Sequence, residues 1–187
     1  MNTERAFAVV TGGGTSGHVL PALAIADALV AGGHERASIH YVGTLRGVET
    51  TLLPPTGYPH TFLDVVGLQR SVSARNLAFL PKLFGAVRAA RALLQELQPK
   101  VVVNVGGYGS FPATWAARRL QIPYVVVSYD RRPGLVSKLM AKRAAACAVA
   151  FEGSVLPHAE LTGAPVRQEM VGLDRAAARA AAREALC

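Results

Sequence analysis

The sequence predicts an α/β fold, a doubly wound parallel sheet of Rossmann-like type. Three observations carry this. Short apolar runs alternate with segments of helical period along almost the whole chain. Two glycine-rich loops, Gly12 to Gly17 and Gly106 to Gly109, each follow a strand-like run. The composition, 51% hydrophobic and 17% charged over 187 residues, suits one globular domain with a sizeable core.

Taken in order, Ala6 to Val10 reads as a buried strand, and Ala22 to Ala31 as the first helix, ended by Gly32-Gly33. Ala37 to Val42 is the second strand. Gly43 to Glu49 turns into a short helix that Pro54-Pro55 stops. His60 to Val66 is the third strand, and Asn76 to Gln98 a long helix with Pro81 near its start. Val101 to Val105, Tyr124 to Ser128 and Ala146 to Phe151 are further strands, with helices at Ala113–Leu120 and Pro133–Arg143 between them. Glu160 to Arg167 is a short strand and turn. Asp174 caps a final Ala/Arg-rich helix.

The first glycine loop contains four glycines in six residues, between a strand and a helix. Glycines let backbone approach a ligand closely, and a helix N-terminus offers free N–H groups and partial positive charge. A phosphate or diphosphate is the natural guest. The spacing Gly12-x-Gly14-x-x-Gly17 also fits a dinucleotide fingerprint, but the second strand ends in Gly43-Thr44 without the acid that would hold a ribose. No Gly-Lys-Ser/Thr follows, which excludes the ATP/GTP phosphate loop. A tight turn serving only strand–helix packing is the plain alternative.

The formal net charge of +8 suits an anionic partner. No basic motif interleaved with aromatics points to nucleic acid. Cys147 and Cys187 are far apart and match neither a disulfide framework nor a metal-ligand spacing, so no metal or other cofactor is expected and a reducing compartment is. The N-terminus does not read as a signal peptide, and no stretch is long and apolar enough to cross a membrane.

Five segments, in order, carry a resemblance: Gly12-Gly13-Gly14-Thr15-Ser16-Gly17-His18-Val19-Leu20-Pro21-Ala22, Gly43-Thr44-Leu45-Arg46-Gly47-Val48-Glu49, Gly67-Leu68-Gln69-Arg70, Gly106-Gly107-Tyr108-Gly109-Ser110-Phe111-Pro112-Ala113 and Thr162-Gly163-Ala164-Pro165-Val166-Arg167. Together they make the chain resemble the N-terminal domain of glycosyltransferase family 28, the peptidoglycan N-acetylglucosaminyltransferases. The resemblance implies the acceptor-binding half of a two-domain GT-B enzyme. Residues 1–165 would form that domain, and 166–187 the hinge and start of a C-terminal donor domain that the chain lacks. The implied reaction moves N-acetylglucosamine from UDP-GlcNAc to lipid I, an undecaprenyl-diphosphate-linked muramyl-pentapeptide, giving lipid II at the cytoplasmic face of the bacterial membrane. The implied partners are that lipid-linked acceptor, an anionic membrane surface and a separate donor-binding chain. The other class of function is a non-catalytic module that holds a prenyl-diphosphate sugar or sits on the membrane.

Under this resemblance His18 is the base for the acceptor hydroxyl, or a diphosphate contact. Gly13, Gly14, Thr15, Ser16, Gly17, Gly106 and Gly107 face the diphosphate. Arg70, Tyr108, Ser110 and Asp130 are further acceptor contacts. Glu49 matches the family's loop after the second strand, and a glutamate there also favours a helix N-terminus without any ligand. Leu77, Leu80, Phe84 and Val87 share one helical face beside Lys82, Arg88 and Arg91. With Trp115 they could form a membrane patch, although a core-facing helix is the ordinary reading. Two departures stand out. After the fifth strand the family's His-Glu-Gln-Asn is replaced by Val127-Ser128-Tyr129-Asp130, so a serine takes the carboxylate position. Asn104 stands where the second loop usually begins with glycine.

Overall fold

The computed structural model describes residues 5–67 and 79–185. Seven parallel strands form one sheet: β1 (Ala8–Thr11), β2 (Ile39–Thr44), β3 (His60–Leu63), β4 (Val101–Asn104), β5 (Tyr124–Ser128), β6 (Ala146–Val149) and β7 (Ala159–Leu161). Their spatial order is β3-β2-β1-β4-β5-β6-β7. The direction of winding reverses between β1 and β4, which pair from Ala8↔Val101 to Thr11↔Asn104. Such a reversal leaves a crevice at the carboxyl ends of the two strands, the usual ligand position in doubly wound sheets. The predicted fold class and strand succession are therefore observed.

The helices are α1 (Ser16–Ala31), α2 (Glu49–Leu52), α3 (Phe79–Leu97), α4 (Phe111–Arg119), α5 (Leu135–Ala141), α6 (Gln168–Val171) and α7 (Arg175–Glu184). Successive strand side chains point to opposite faces, and the core divides accordingly. Val10, Val103 and Val105 pack with Val19, Ala22, Leu23 and Ala26 of α1 on one face. Val9, Val102 and Val126 pack with Ala86, Ala90 and Leu94 of α3 and Ala113, Ala116 and Ala117 of α4 on the other. Burial on both faces explains why the central strands are continuous apolar runs rather than alternating ones.

Several boundaries differ from expectation. Helix α1 begins at Ser16, six residues before the expected start at Ala22, so Gly17 and His18 belong to its first turn and not to the glycine loop. Pro21 lies inside this helix. β3 stops at Leu63 and β6 at Val149, short of the expected Val66 and Phe151. Helix α7 starts as predicted: Asp174 Oδ1 accepts from the N–H groups of Ala176 (2.9 Å) and Ala177 (3.1 Å).

Helix α4 ends in a Schellman arrangement. Ile122 N–H donates to the Ala117 carbonyl (2.9 Å) and Gln121 N–H to that of Arg118 (3.3 Å), with Gln121 held at φ +58°. Glycine is the residue that adopts this left-handed position without strain. Gln121→Gly should raise stability by about 1 kcal/mol, read as a higher thermal midpoint; a lower midpoint would mean that the side chain contributes packing.

His40, on β2, is largely buried, and its Nε2 lies 2.9 Å from Thr61 Oγ1 on β3. Burial, helped by nearby His60, lowers its pKa to about 4 from 6.5. The unfolded chain therefore takes up this proton before the folded one does. Stability that is full above pH 6.5 should fall as pH drops toward 4 and then level off. Denaturant titrations across that window should show the loss, and His40→Asn should flatten it.

Candidate functional site

The site is built on the loops that leave β1 and β4, at the reversal of winding. A buried carboxylate sets the first loop. Glu49, at the start of α2, has no exposed surface. Its Oε1 accepts from Thr44 N–H (2.7 Å), Thr44 Oγ1 (2.8 Å) and Gly14 N–H (3.2 Å), and Oε2 lies 3.3 Å from the same Gly14 nitrogen. A side chain on Gly13 or Gly47 would occupy the space of this carboxylate. Those glycines seat the glutamate, and the glutamate fixes the loop. Tyr41 supports it from below, its hydroxyl donating to the Gly12 carbonyl (2.5 Å). Burial raises the Tyr41 pKa, with Glu49 and Tyr129 adding to the effect.

Thr15, Ser16 and Gly17 are exposed at the head of α1. Thr15 makes no side-chain cap. Its carbonyl takes the N–H groups of His18 (3.0 Å) and Val19 (3.1 Å), leaving the first amides of the helix turned outward.

The second loop is ordered by Asn104, the residue that replaces glycine. Its Oδ1 accepts from Gly106 N–H (2.8 Å) and its Nδ2 donates to Thr114 Oγ1 (2.8 Å), both bonds buried. Gly106 and Gly107 have φ of +90° and +76°, and a Cβ on Gly107 would run into the Gly13 carbonyl and come within 2.9 Å of the His18 ring. The two loops thus touch through positions that only glycine tolerates.

His18 lies where they meet. Its Nδ1 is 2.8 Å from the Tyr129 hydroxyl and 3.2 Å from the Val105 carbonyl. The ring lies against both glycines of the second loop, Gly106 beside Cε1 and Nδ1 and Gly107 beside Cδ2. A cleft of about 170 Å³ opens beside it, lined by Tyr108, Ser128, Tyr129, Asp130 and Ser137 among others.

The sequence-predicted residues therefore divide. His18, Gly106, Gly107, Tyr108 and Asp130 share one cleft. Gly13 and Gly14 lie in the loop that faces it, and the Tyr108 ring packs over Gly14. Ser110 is buried, and its hydroxyl donates to the Gly107 carbonyl (2.9 Å), which shapes the loop. Arg70 and Leu77 lie outside the described residues. On α3, Leu80 is 59% and Phe84 74% exposed, while Ala86, Ala90 and Leu94 face the core. The helix thus has a core face and also an apolar outer surface at its start. Trp115 is half-buried on α4, stacked on Phe111, with the Arg118 guanidinium 5.0 Å from its ring centre.

Sequence reasoning missed two residues. Glu49 was legible as a motif position, but its contact with Gly14 was not. Tyr129 carried no signal, being one aromatic after an apolar strand.

Two facing glycine loops with a histidine between them, at the switch point of a doubly wound sheet, define a Rossmann-like α/β domain with its ligand crevice between β1 and β4. The comparisons with known proteins narrow this. The glycosyltransferase family 28 N-terminal domain matches residues 8–149, and the chain belongs to that family. It is 45% identical over 186 residues to the UDP-N-acetylglucosamine–N-acetylmuramyl-(pentapeptide) pyrophosphoryl-undecaprenol N-acetylglucosamine transferase of Paenarthrobacter aurescens, covering 99% of this chain and 50% of that protein. The enzyme of the same name from Corynebacterium jeikeium is 42% identical over 177 residues, with 94% and 47% covered. The crystal structure of Acinetobacter baumannii MurG superposes with a TM-score of 0.70 at 24% identity, covering 87% of this chain and 47% of that one, and shares its fold. The chain spans about half the length of the curated relatives it matches.

Removing the Glu49 carboxylate leaves two amides and a hydroxyl without an acceptor in a buried place. Glu49→Ala should cost about 3 kcal/mol or more in denaturant unfolding, and Glu49→Gln less. An Ala variant as stable as the parent would show that the loop does not depend on the carboxylate.

Proposed function

We propose that this chain is the acceptor-binding half of a transferase that moves N-acetylglucosamine from UDP-GlcNAc to an undecaprenyl-diphosphate-linked muramyl-peptide. The observation that carries the reading is the position of His18, with its ring against Gly106 and Gly107 and the exposed head of α1 beside it. The names of the relatives supply the donor and the acceptor.

In this reading the diphosphate lies against the amides at the start of α1 and the Gly106–Gly107 backbone, where helix dipole and N–H groups favour an anion. Thr15, Ser16, Tyr108 and Asp130 contact the diphosphate or the sugar. Nε2 of His18 takes the proton of the acceptor hydroxyl as its oxygen bonds to the sugar C1. The bond from C1 to the UDP oxygen breaks, and UDP leaves with the electron pair. The donor would be held by a second domain, with residues 166–187 as its hinge, or by a separate chain. No metal or cofactor enters this scheme.

A lipid-linked acceptor places the work at a membrane surface. Among the described residues, no helix is long and apolar enough to cross a membrane. Leu80 and Phe84 on α3, with Lys82, Arg88 and Arg91 on the same helix, suit peripheral contact with an anionic bilayer. The cytoplasmic face is the side the reading assigns.

A second reading has its own observation. Ser128 is buried at the end of β5, where the family's carboxylate is expected. A serine there supplies no charge, which favours a non-catalytic module holding a prenyl-diphosphate sugar.

Liposome flotation with and without lipid I tests the first reading. Binding should depend on lipid I and weaken at least tenfold in both His18→Ala and Gly14→Ala. Equal binding to plain anionic liposomes would overturn acceptor recognition and leave only a membrane-surface role. Lipid I binding together with turnover on adding a donor half would exclude the non-catalytic module.

A further inference from the structure

We infer that Tyr129 is a positioning residue that locks His18 in the tautomer with its proton on Nδ1 and its lone pair on Nε2. The inference starts at Pro21. A helical residue donates its N–H to the carbonyl four residues back. Proline has no N–H, so Pro21 leaves the Gly17 carbonyl without its helical partner. The Tyr129 hydroxyl takes that place, donating to the Gly17 oxygen (2.5 Å). The phenolic proton is thereby committed, and toward His18 the Tyr129 oxygen acts as an acceptor.

The second neighbour of His18 Nδ1 gives the same answer independently. The Val105 carbonyl, 3.2 Å away, can only accept. A lone pair on Nδ1 would face two oxygens, whereas a proton there satisfies both. In the neutral ring the remaining lone pair then belongs to Nε2. A Cβ on Gly107 would come within 2.9 Å of Cδ2, a carbon that flanks Nε2, whereas one on Gly106 would meet Cε1 and Nδ1, each at 3.2 Å. Gly107 therefore borders the side of the ring that carries the lone pair.

Tyr129 suits the task because it keeps its proton. Burial, with Asp130 adding, pushes its pKa up to about 12. The catalytic meaning of the lock rests on the proposed role of His18 as the base, but the tautomer itself does not.

The test is a long-range proton–nitrogen correlation spectrum of the full chain labelled at its five histidines, with His18 assigned by comparison with His18→Gln. At neutral pH the His18 signals should show a single Nδ1-protonated tautomer. In Tyr129→Phe they should shift toward a mixture with an Nε2-protonated form, while the other histidine signals stay in place. Pro21→Ala, which returns an N–H to the Gly17 carbonyl and frees the phenolic proton, should move them the same way. An Nε2-protonated His18 in the parent overturns the inference. So does a parent-like spectrum in Tyr129→Phe, or in Pro21→Ala should the first variant not fold. Failure of the chain to bind lipid I would remove the acceptor reading and leave this result standing.

Discussion

The buried Glu49 carboxylate is the constraint on which the site depends. It ties the end of β2, through Thr44, to the first glycine loop, through Gly14. Burying a charged group is costly unless donors surround it. Here two amides and a hydroxyl do so. Gly13 and Gly47 give it room. The loop after β1 is therefore rigid before any ligand arrives, and ordering it does not subtract from binding energy.

Asn104 does for the second loop what Glu49 does for the first. It binds Gly106 on one side and Thr114 of α4 on the other, so the turn after β4 is fixed to the helix that follows it. With both loops held from behind, their forward surfaces are free for recognition. His18 bridges them, and it draws on a third segment, the turn after β5, for its hydrogen bond to Tyr129. A side chain on a helix, held by partners from two strand ends, is more precisely placed than one on a loop alone.

Much of the fold was legible in the sequence because hydrophobic period and glycine punctuation are local signals. The strand succession, the Asp174 cap and the helix stops at Gly32 and Pro54 needed only neighbours in sequence. The start of α1 was misread because Ser16 and Gly17 are exposed and His18 turns toward the second loop, so the first turn carries no apolar signal before Val19. Within the site, His18 and the glycines stood out by spacing. Glu49 and Asn104 matter through contacts with Gly14 and with Gly106 and Thr114 that only folding reveals. Tyr129 meets Gly17 across 112 residues of chain, a distance no motif encodes. Ser110 stood out as a polar residue in a motif, and folding turns its hydroxyl back on its own turn.

The pairing of β1 with β4 sets an order of events. Ala8 faces Val101, so the central seam joins segments separated by about half the chain. β1, β2 and β3 can associate early through nearer contacts, but the edge of β1 that will border the crevice stays open until β4 has been synthesised and has crossed over. Closing so long a loop is slow compared with the local steps on either side of it. The cleft beside His18 also draws Tyr129, Asp130 and Ser137 from beyond β5, so it is complete only when segments from both halves of the sheet are together, and a ligand that held both loops would reinforce the seam between them.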